Sequence, residues 1–408
     1  MLNKTDSQLY GLINQERKRQ AEVLNLIASE NYVSKSVLEA LGSVLTNKYA
    51  EGYSRRRYYG GNEIIDQIED LAIERVKKVF GLPLDWHVNV QPHSGSPANL
   101  AVFAAFLEPK DTIMSMDLAH GGHLTHGSPV NMSGKMYNIV HYGVNKKSGR
   151  LDYTDILKMA DRIKPKLIIS GFTSYPREIH FEKFREIADK VRAICMADIS
   201  HIAGLVASEL HCSPIPDFDV VTTTTHKTLR GPRAAVIMCK DKFATQIDKA
   251  VFPGMQGGPH EHSIAAIAAA MKEASSVSFK RYSEQVIRNA KSLANSLQDF
   301  GFKLVSGGTD NHLILVDLTN KNIGGKEAQR ILGEAGIVIN KNMIPYDTGR
   351  PQDPSGIRIG TAAVTTRGMK EKEMSKIASW ITAVLTDPTL APTVREEVKT
   401  FTKKFPIS

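Results

Sequence analysis

Strand and helix patterns alternate along this chain from about residue 64 to residue 240, and this alternation limits the possible folds most. The strand patterns are HVNVQ, DTIMSM, YNIVHY, KLIISGF, AICMAD, DVVTTTT and AAVIMC. Apolar residues at helical spacing separate several of them, at 97–107, 153–162 and 181–191, and another helical pattern precedes them at 64–80. Such a sequence predicts the α/β class, with a mostly parallel sheet and helices on both faces.

The C-terminal part of the chain predicts a second, smaller α/β domain. A long helical pattern at 279–300 precedes the strand patterns KLVS and HLILVDL, a helix at 326–335 and two terminal helices. We therefore expect an N-terminal arm at 1–48, a large domain at 49–279 and a small C-terminal domain at 280–408.

Composition favours a cytoplasmic protein. Three cysteines in 408 residues are too few for a disulfide framework, which favours a reducing compartment. The first 20 residues lack the apolar stretch of a secretory signal. Apolar runs stay well short of the roughly 20 residues that cross a bilayer, so we expect no membrane association.

The formal net charge of +9 indicates an anionic partner, either nucleic acid or a small polyanion. The basic residues are mostly dispersed, and the densest run is SRRRYYGG. Because no RNA-binding or zinc-finger signature occurs, nucleic acid is the weaker expectation. A basic RNA-binding protein stays as one alternative.

The run VVTTTTHKTLRGPR places His226 and Lys227 directly after a predicted core strand. A lysine there either reaches back to solvent or serves as a desolvated amine for covalent chemistry with a carbonyl. Asp198 ends another predicted core strand, and His201 follows it three residues later. Ligands of open α/β sheets gather at these strand ends, so Asp198 either caps the next helix or binds a protonated ring nitrogen.

The segment QPHSGSPAN leads from a strand through Ser94, Gly95 and Ser96 into a helix. We expect Ser96 to cap this helix and Pro97 to be its first residue. The backbone amides there would form an anion site, although a capped helix and nothing more is the alternative. Neither GxGxxG nor GxxxxGK[ST] occurs in the chain, which argues against nicotinamide and P-loop sites. An anion site, an aspartate and a lysine are together the three contacts that pyridoxal phosphate needs.

The segment DLAHGGHLTHG spaces His120, His123 and His126 three residues apart. Zinc is one hypothesis for such a group, and stacking of a histidine on an aromatic ligand is another. The glycines make a regular helix doubtful, and a carboxylate at a familiar metal spacing is missing. We therefore predict no metal site.

Two further segments carry candidate side chains. Arg358 in SGIRIGT could hold a substrate carboxylate through two charge-assisted hydrogen bonds, or it could be a surface arginine on a strand. The loop KYAEGYSRRRYYGG surrounds Glu51 with tyrosines, which makes Glu51 a candidate acid or base.

Taken together, these segments resemble the serine hydroxymethyltransferase family, pyridoxal-phosphate enzymes of the aspartate-aminotransferase fold. The resemblance covers nearly the whole chain. It rests on ASEN, LTNKYAEGY, RYYGG, NVQPHSGS, LAHGGHLTHGSPVN, HIAGLVA, TTTTHKTLRGPR, AVFPGMQGGP, VSGGTDNHL and GIRIGT. It implies transfer of the serine hydroxymethyl carbon to tetrahydrofolate, giving glycine and methylenetetrahydrofolate, in a homodimer with shared active sites.

The resemblance also implies which residues contact the cofactor. Lys227 would be the Schiff-base lysine, Asp198 would hold the pyridine nitrogen, and His123 would stack on the ring. His201 would lie near the phenolic oxygen. The phosphate would be bound by Ser94, Gly95 and Ser96, and by Tyr49 and Gly258 of the partner subunit.

Substrate and folate contacts follow from the same resemblance. Arg358 and Ser29 would hold the substrate carboxylate, with Tyr59 of the partner subunit nearby. Glu51, also from the partner, would be the acid-base group at the serine hydroxyl. The catalytic set is then Lys227, Glu51, His201 and His226. The folate site would be lined by Leu118, Gly122 and Asn342.

The chain departs from the usual family pattern at a few positions. Ser200 stands where alanine is common, and Gln352 and Asp353 stand where an aromatic and an apolar residue are common, near the expected folate mouth. The remaining alternative within the fold is a folate-independent aldolase that uses pyridoxal phosphate, and its activity would be indifferent to tetrahydrofolate.

Overall fold

The computed structural model describes residues 2–407. Its strands are β1 (Leu24–Asn25), β2 (Gly52–Tyr53), β3 (Arg56–Arg57), β4 (Trp86–Asn89), β5 (Thr112–Met116), β6 (Asn138–Tyr142), β7 (Leu167–Gly171), β8 (Ile194–Asp198), β9 (Val220–Thr224), β10 (Ala235–Lys240), β11 (Lys303–Leu304), β12 (Leu313–Asp317), β13 (Ile337–Val338), β14 (Asn340–Asn342) and β15 (Gly356–Gly360).

The α-helices are α1 (Leu2–Thr5), α2 (Ser7–Glu22), α3 (Lys35–Leu41), α4 (Glu63–Val79), α5 (Gly95–Phe106), α6 (Met132–Met136), α7 (Tyr153–Ile163), α8 (Phe181–Val191), α9 (Ala203–Ala207), α10 (Ala244–Lys249), α11 (Glu261–Ala274), α12 (Val277–Asp299), α13 (Gly325–Glu334), α14 (Ala362–Thr366), α15 (Glu371–Thr386) and α16 (Ala391–Thr402). Short 3₁₀ turns lie at Val44–Asn47, Leu118–His120, Leu124–His126, Asp241–Phe243, Val305–Gly307, Thr319–Lys321 and Pro388–Leu390, and Ala250–Met255 forms a π-turn.

The chain forms two compact units. One unit, called here the large unit, runs from Val33 to Glu284. The other, called here the terminal unit, joins the described residues up to Tyr32 with those from Gln285 onward. The division into an N-terminal arm at 1–48 and domains at 49–279 and 280–408 stays a prediction.

The large unit contains, within the described residues, a seven-stranded sheet in the order β4-β10-β9-β8-β7-β5-β6. Strand β10 is antiparallel to both of its neighbours, and the other neighbouring pairs are parallel. The predicted α/β class with a mostly parallel sheet is therefore confirmed. The carboxyl ends of β7, β8 and β9 meet at the same edge of this sheet, where the predicted site residues follow.

Two hydrophobic clusters cover the two faces of this sheet, because successive side chains of a strand point to opposite faces. In β9, Val221 belongs to one cluster and Val220 to the other. In β8, Ala197 and Met196 divide in the same way. Strands covered on both faces carry continuous apolar or β-branched runs, as β8 and β9 do.

The predicted helix at 64–80 is found as α4, and Gly81 after it has a φ of +59°, a conformation that favours glycine. The predicted cap of α5 was wrong by two residues. Ser94, not Ser96, is the N-cap, and Pro97 is the third helical residue instead of the first. Proline fits there because the first three amides of a helix have no intrahelical acceptor. The first intrahelical bond runs from the Ala98 amide to the Ser94 carbonyl, over 3.1 Å.

The terminal unit contains the sheet β11-β12-β15-β14. A second, parallel pair joins β1 to β13, with Leu24 opposite Ile337. The sequence did not predict this pair, since each strand has only two residues and more than 300 positions separate them. The two strands contribute Leu24 and Ile337 to one buried cluster with residues of α12, α13 and α15.

The helices and the ionisable side chains of residues 2–407 show two further properties. Within that range, the helices lack the combination of length and apolar character that crossing a bilayer requires. Within the same range, no three His, Cys, Asp or Glu side chains are grouped so that they could hold a metal ion.

Candidate active site

Asp198 ends β8 and its carboxylate accepts four hydrogen bonds within the large unit. Oδ2 accepts from Nε2 of His126 at 3.0 Å and from Nδ2 of Asn99 at 2.9 Å. Oδ1 accepts from the amide of Ser200 at 3.1 Å and from its hydroxyl at 2.6 Å. The side chain is only 9% exposed. These four donors fix the carboxylate and favour its charged form.

Two opposing effects act on the pKa of Asp198. Burial by itself would raise it, because a low-dielectric site disfavours a charge. The hydrogen bond from His126 is the largest effect that lowers it. Together with the neighbouring positive charges, of which Lys227 is one, it outweighs burial and holds the pKa of Asp198 far below its ordinary value. The carboxylate is therefore an anion across the physiological pH range.

The tautomer of His126 follows from its two partners. The His123 amide donates to Nδ1 of His126 at 3.3 Å, so Nδ1 accepts and the ring proton of neutral His126 is on Nε2. Nε2 can then donate to Asp198. His126 is almost fully buried, and its hydrogen bond orients the aspartate.

A series of hydrogen bonds holds the His123 ring, and each group in the series donates to the next one toward His123. Thr222 donates its hydroxyl to Oδ1 of Asn99 at 2.7 Å, and Nδ2 of Asn99 donates to Oγ1 of Thr125 at 2.9 Å. The hydroxyl of Thr125, which lies 2.7 Å from Nδ1 of His123, then donates to that nitrogen. The Thr125 amide donates to it as well, at 3.1 Å. Asn99 thus links the position of His123 to that of Asp198.

Lys227 lies three residues beyond the end of β9 and is 8% exposed. Its Nζ donates to Oγ1 of Thr224, the last residue of β9, at 3.1 Å. The preceding residue, His226, is neutral at physiological pH. Burial, together with the positive charges of Lys227 and Arg233, lowers its pKa to about 3. Lys227 is therefore held within the unit and does not reach freely into solvent.

The N-terminus of α5 is the predicted anion site. Ser94 is the N-cap residue, yet its hydroxyl makes no capping hydrogen bond within the described chain. A Cβ atom on Gly95 would lie 2.6 Å from the methyl group of Thr224, so only glycine fits there. The amides of Gly95 and Ser96 and the Ser94 hydroxyl can thus face an anion, with the positive end of the helix dipole behind them.

The zinc hypothesis for the histidine loop requires three converging rings, and the rings have separate partners. Nδ1 of His120 accepts from the Val144 amide at 3.1 Å, while His123 and His126 bind Thr125 and Asp198. His201, the remaining predicted histidine of this unit, is buried, and its carbonyl accepts from the Thr228 hydroxyl at 3.0 Å.

Tyr49 and Glu51 lie together with the glycines of the 257–258 segment. A Cβ atom on Gly258 would lie 3.2 Å from the Tyr49 ring, and one on Gly257 would lie 3.1 Å from Oε1 of Glu51. The Tyr49 ring meets Tyr59 edge to face, with 5.2 Å between ring centres. Tyr49 is 55% exposed and Tyr59 is 49% exposed. These predicted site residues form one cluster on the surface of the large unit.

Arg57 supports the loop that carries Glu51. Its guanidinium donates to the carbonyls of Ala50 and Gly52 at 3.0 and 2.9 Å, one on each side of Glu51. The same buried guanidinium pairs with Asp66 and Glu69, at 2.9 and 3.0 Å. The densest basic run of the sequence thus includes one buried structural arginine.

The predicted folate residues of the large unit lie at the 3₁₀ turn Leu118–His120. Leu118 is 43% exposed, as a residue of a binding surface can be. A Cβ atom on Gly122 would lie 2.2 Å from the Met116 carbonyl oxygen, so this position admits only glycine. The loop therefore approaches the end of β5 very closely.

The terminal unit contains Arg358, Ser29 and Asn342. Arg358 lies on β15, and its Nε donates to Oδ1 of Asn340 at 3.1 Å. Burial lowers the pKa of Arg358 to about 10, which still leaves it charged at neutral pH. The Gly360 amide donates to the Leu26 carbonyl at 2.7 Å, so the segment that leads to Ser29 passes the end of β15. Asn342 ends β14 and donates through its amide group to the Met343 carbonyl.

Sequence reasoning missed several residues of the hydrogen-bond network. These are Asn99, Thr125, Ser200, Thr222 and Thr224. A run of threonines in a core strand was one available signal, because a buried hydroxyl needs a partner. The orientation of Asn99 had no comparable signal, since it depends on contacts 26, 99 and 123 positions away.

The groups of the large unit fit pyridoxal phosphate by their chemistry. The uncapped N-terminus of α5 suits a phosphate, the anionic Asp198 suits a protonated ring nitrogen, and the Lys227 amine suits an aldehyde. All three lie at one edge of a mostly parallel sheet. Fold and site together define the class of pyridoxal-phosphate-dependent enzymes with the aspartate-aminotransferase architecture.

Comparison with known proteins specifies the family. The family model for serine hydroxymethyltransferase matches residues 2–381. A curated serine hydroxymethyltransferase from Desulfotalea psychrophila is 56% identical over 408 residues, which covers 99% of this chain and 95% of the relative. The chain belongs to the serine hydroxymethyltransferase family.

Membership defines the reaction. The enzyme transfers the hydroxymethyl carbon of serine reversibly to tetrahydrofolate, giving glycine and 5,10-methylenetetrahydrofolate. Pyridoxal phosphate is the cofactor, and tetrahydrofolate is the co-substrate. The predicted enzyme class, substrates and cofactors are therefore confirmed, and the folate-independent aldolase and RNA-binding alternatives are set aside.

Proposed function

We propose that the large unit binds the cofactor in the arrangement that its hydrogen bonds prepare. Asp198 would hold the ring nitrogen, Lys227 would bond to the aldehyde, His123 would stack on the ring, and Ser94, Gly95 and Ser96 would bind the phosphate. The observation that carries this proposal is the fully hydrogen-bonded, anionic Asp198 at the end of β8. When bound, pyridoxal phosphate supplies an electron sink for bonds at the α-carbon of the amino acid.

Asp198 acts by electrostatics. Its negative charge would stabilise a proton on the ring nitrogen of the cofactor, because a nearby opposite charge favours the charged form of each group. His126 and Asn99 hold the carboxylate from one side and Ser200 from the other, so its direction is fixed before the cofactor arrives. Such preorganisation removes a reorganisation cost from the reaction.

Lys227 and its neighbours differ in role. Thr224 holds the amine at the end of β9, ready for a carbonyl. His226 has a pKa of about 3, lowered by burial and by neighbouring cations, so we assign it a positioning role beside Lys227 instead of proton transfer. His201, which is buried at the start of the segment after β8, would contact the phenolic oxygen of the cofactor.

Glu51 is the proposed acid-base group at the serine hydroxyl, and it would act in the active site of a partner subunit. The support is its place in the exposed cluster with Tyr49, Tyr59 and Gly258, all of which the family resemblance assigns to the partner's site. Arg57 holds the backbone on both sides of Glu51, so the loop that carries this carboxylate is anchored to the large unit.

A homodimer follows from this assignment. The 44–64 segment exposes large apolar side chains that a monomer has no reason to present to water. Val44 is 78% exposed, Tyr58 is 75% exposed and Ile64 is 64% exposed. Several large exposed apolar groups within one short segment suit an interaction surface. A second copy of the chain, related by a two-fold axis, would cover this segment and complete both sites in the same way.

Substrate and folate contacts complete the proposal. Arg358 and Ser29 would hold the carboxylate of serine, with Tyr59 of the partner subunit close to it. Arg358 keeps its charge despite burial, and a buried guanidinium attracts a carboxylate strongly. Leu118, Gly122 and Asn342 would line the site for tetrahydrofolate.

A reducing, cytoplasmic location is the last part of the proposal. The support is that Cys195, Cys212 and Cys239 are all free thiols in the described chain. Two of them are buried in the sheet of the large unit, where pairing would require the fold to open.

One spectroscopic experiment tests the cofactor and folate assignments together. The purified enzyme should show a visible band from lysine-bound cofactor, and glycine followed by tetrahydrofolate should change that band in two steps. The same titration on Asp198→Asn should show weaker cofactor binding and a smaller response. A normal band with normal affinity in Asp198→Asn would contradict the central assignment.

A further inference from the structure

Ser200 connects the two strand ends that carry Asp198 and Lys227. The Thr224 amide donates to the Ser200 hydroxyl oxygen at 3.0 Å, and this hydroxyl lies 2.6 Å from Oδ1 of Asp198. A backbone N–H can only donate, so the proton of the Ser200 hydroxyl is directed at the carboxylate. The chain of donors therefore runs from Thr224 through Ser200 to Asp198.

This link lies where the regular ladder between β8 and β9 ends. Asp198 is the last paired residue of β8 and stands opposite Thr222, and the Ile199 amide still donates to the Thr222 carbonyl at 3.0 Å. The Thr224 amide, two residues further along β9, has a side-chain hydroxyl as its acceptor. Ser200 thus extends the contact between the two strands beyond the last backbone pair.

The same threonine also holds the lysine. Oγ1 of Thr224 accepts from Nζ of Lys227, while its amide donates to Ser200. Ser200, Thr224 and Asp198 are all at most 9% exposed, so water does not compete readily for these bonds. A displacement of Asp198 would therefore also shift Thr224, and a displacement of Thr224 would shift Asp198.

We propose that Ser200 is a positioning residue, which directs the Asp198 carboxylate at the cofactor ring and ties it to the strand end that holds Lys227. The inference rests on the proposed role of Asp198. It adds a residue that stands where the family commonly has alanine, so this chain would hold its aspartate by one more charge-assisted bond than alanine allows.

The test is Ser200→Ala, which removes the hydroxyl and keeps the backbone donor. The readout is the dissociation constant of pyridoxal phosphate from the apo protein, measured by equilibrium dialysis and by absorbance titration. A hydrogen bond to a charged group contributes enough that its loss should raise this constant about tenfold. An unchanged constant would overturn the inference.

Ser170→Ala is the matched control. Ser170 lies on the neighbouring strand β7, opposite Ala197, and its buried hydroxyl has no hydrogen-bond partner among the described residues. Removing that hydroxyl should leave cofactor affinity as it is. An equal loss of affinity in Ser170→Ala and Ser200→Ala would mean that affinity responds to any change in this sheet, which would contradict a specific role for Ser200.

Two further measurements separate the possible failures. In an Asp198→Asn background, Ser200→Ala should add no further loss, because the hydroxyl acts through the carboxylate. If Asp198→Asn by itself leaves cofactor affinity unchanged, the proposed role of Asp198 fails, and with it the basis of this inference. If Asp198→Asn weakens binding and Ser200→Ala lowers only the thermal stability of the apo protein, Ser200 is merely structural and the inference is wrong.

Should Ser200→Ala yield no folded protein, Ser200→Cys gives the same comparison. A thiol is a weaker donor and acceptor than a hydroxyl, so the dissociation constant should rise by a smaller factor. A folded Ser200→Cys variant with unchanged affinity would overturn the inference just as well.

Discussion

Nζ of Lys227 lies 3.1 Å from Oγ1 of Thr224, so the side chain after the strand folds back to the last residue of β9. This contact holds the amine near the end of the sheet, where it can react with a carbonyl. We expect Lys227→Ala to purify without the visible band of lysine-bound cofactor. Borohydride treatment should leave no cofactor attached to the variant, as mass spectrometry of the protein can check.

Lys240→Ala is a suitable control for this prediction, because Lys240 ends the neighbouring strand β10 and is partly exposed. It should keep the band and the reducible bond. A reducible bond that persists in Lys227→Ala would show that another lysine carries the cofactor.

Arg358→Ala should lose affinity for serine far more than affinity for pyridoxal phosphate. Removing one partner of a charge-assisted pair typically costs about 1.5–3 kcal/mol, so serine binding should weaken roughly tenfold to a hundredfold. Spectral titration of the bound cofactor with serine measures the loss. Arg350→Ala, an exposed arginine of the same unit, is the control. Unchanged serine affinity in Arg358→Ala would exclude Arg358 as the carboxylate site.

Mixed dimers test whether Glu51 and Lys227 come from different chains. Glu51→Gln and Lys227→Ala homodimers should each be inactive in folate-dependent serine cleavage. In a mixed dimer one site receives both changes and the other receives neither. Random mixing makes about half of the dimers mixed, and each mixed dimer has one intact site out of two. Roughly a quarter of normal activity should therefore return if the dimer is two-fold symmetric.

The chains must exchange during mixing, through co-expression or through unfolding and refolding, and tagged subunits should verify that mixed dimers form. Verified mixed dimers without recovered activity would place Glu51 and Lys227 in the same site of one chain.

Glu261 should make the enzyme less stable as the pH rises. Neither carboxyl oxygen has a hydrogen-bond partner among the described residues, and burial, followed by the negative charge of Glu69, raises the pKa of Glu261 to about 8. A folded state that binds a proton more tightly than the unfolded state loses stability between the unfolded pKa, near 4.5, and the folded pKa. The slope is about 1.4 kcal/mol per pH unit at most.

Glu261→Gln removes this titration and keeps the shape of the side chain. The melting temperature of Glu261→Gln, minus that of the unchanged protein, should therefore increase as the pH rises from 6 to 8. Melting curves recorded at several pH values measure this difference. Glu327→Gln is the control, since Glu327 is exposed and ion-paired with Arg330. Parallel pH profiles for Glu261→Gln and the unchanged protein would contradict this prediction.

Asp353, one of the departures near the expected folate mouth, has a structural contact. Its Oδ1 accepts from the Lys326 amide at 3.1 Å, in the first turn of α13. Asp353→Ala should cost about 1 kcal/mol of stability, as the loss of a helix N-cap typically does. Gln352→Ala is the control, because the Gln352 group that binds Lys341 is its backbone carbonyl. Equal unfolding free energies for the two variants would exclude this capping role.

The sequence predicted the elements of the large unit well because their side chains repeat with the period of their own secondary structure. Helix α8 was predicted at 181–191 and lies at those residues, and the strands β5 to β10 fall within a residue or two of their predicted limits. The cap of α5 was harder, since three small polar residues in a row each suit the N-cap, and the backbone conformation selects Ser94. Strand β1 was missed because two residues are too few to show the alternating pattern of a strand.

In the candidate site, too, the sequence identified some residues and left others unidentified. Asp198 and Lys227 could be identified because an ionisable side chain after a core strand is unusual in any sequence. The partners of these residues could not, since His126, Asn99 and Ser200 contact Asp198 only after the strands have paired. Likewise, Arg57 reads as part of a basic run, and folding places it between Asp66 and Glu69.

By itself, then, the sequence determined the α/β class, the strand ends that carry chemistry and the family, because these depend on local periodicity and on residues that stay together along the chain. The tertiary structure decided which groups share a hydrogen bond: Ser200 with Thr224, His126 with Asp198, and β1 with β13. Such contacts join residues between 24 and about 300 positions apart. Their geometry is set by the packing of whole strands and helices, which no local pattern encodes.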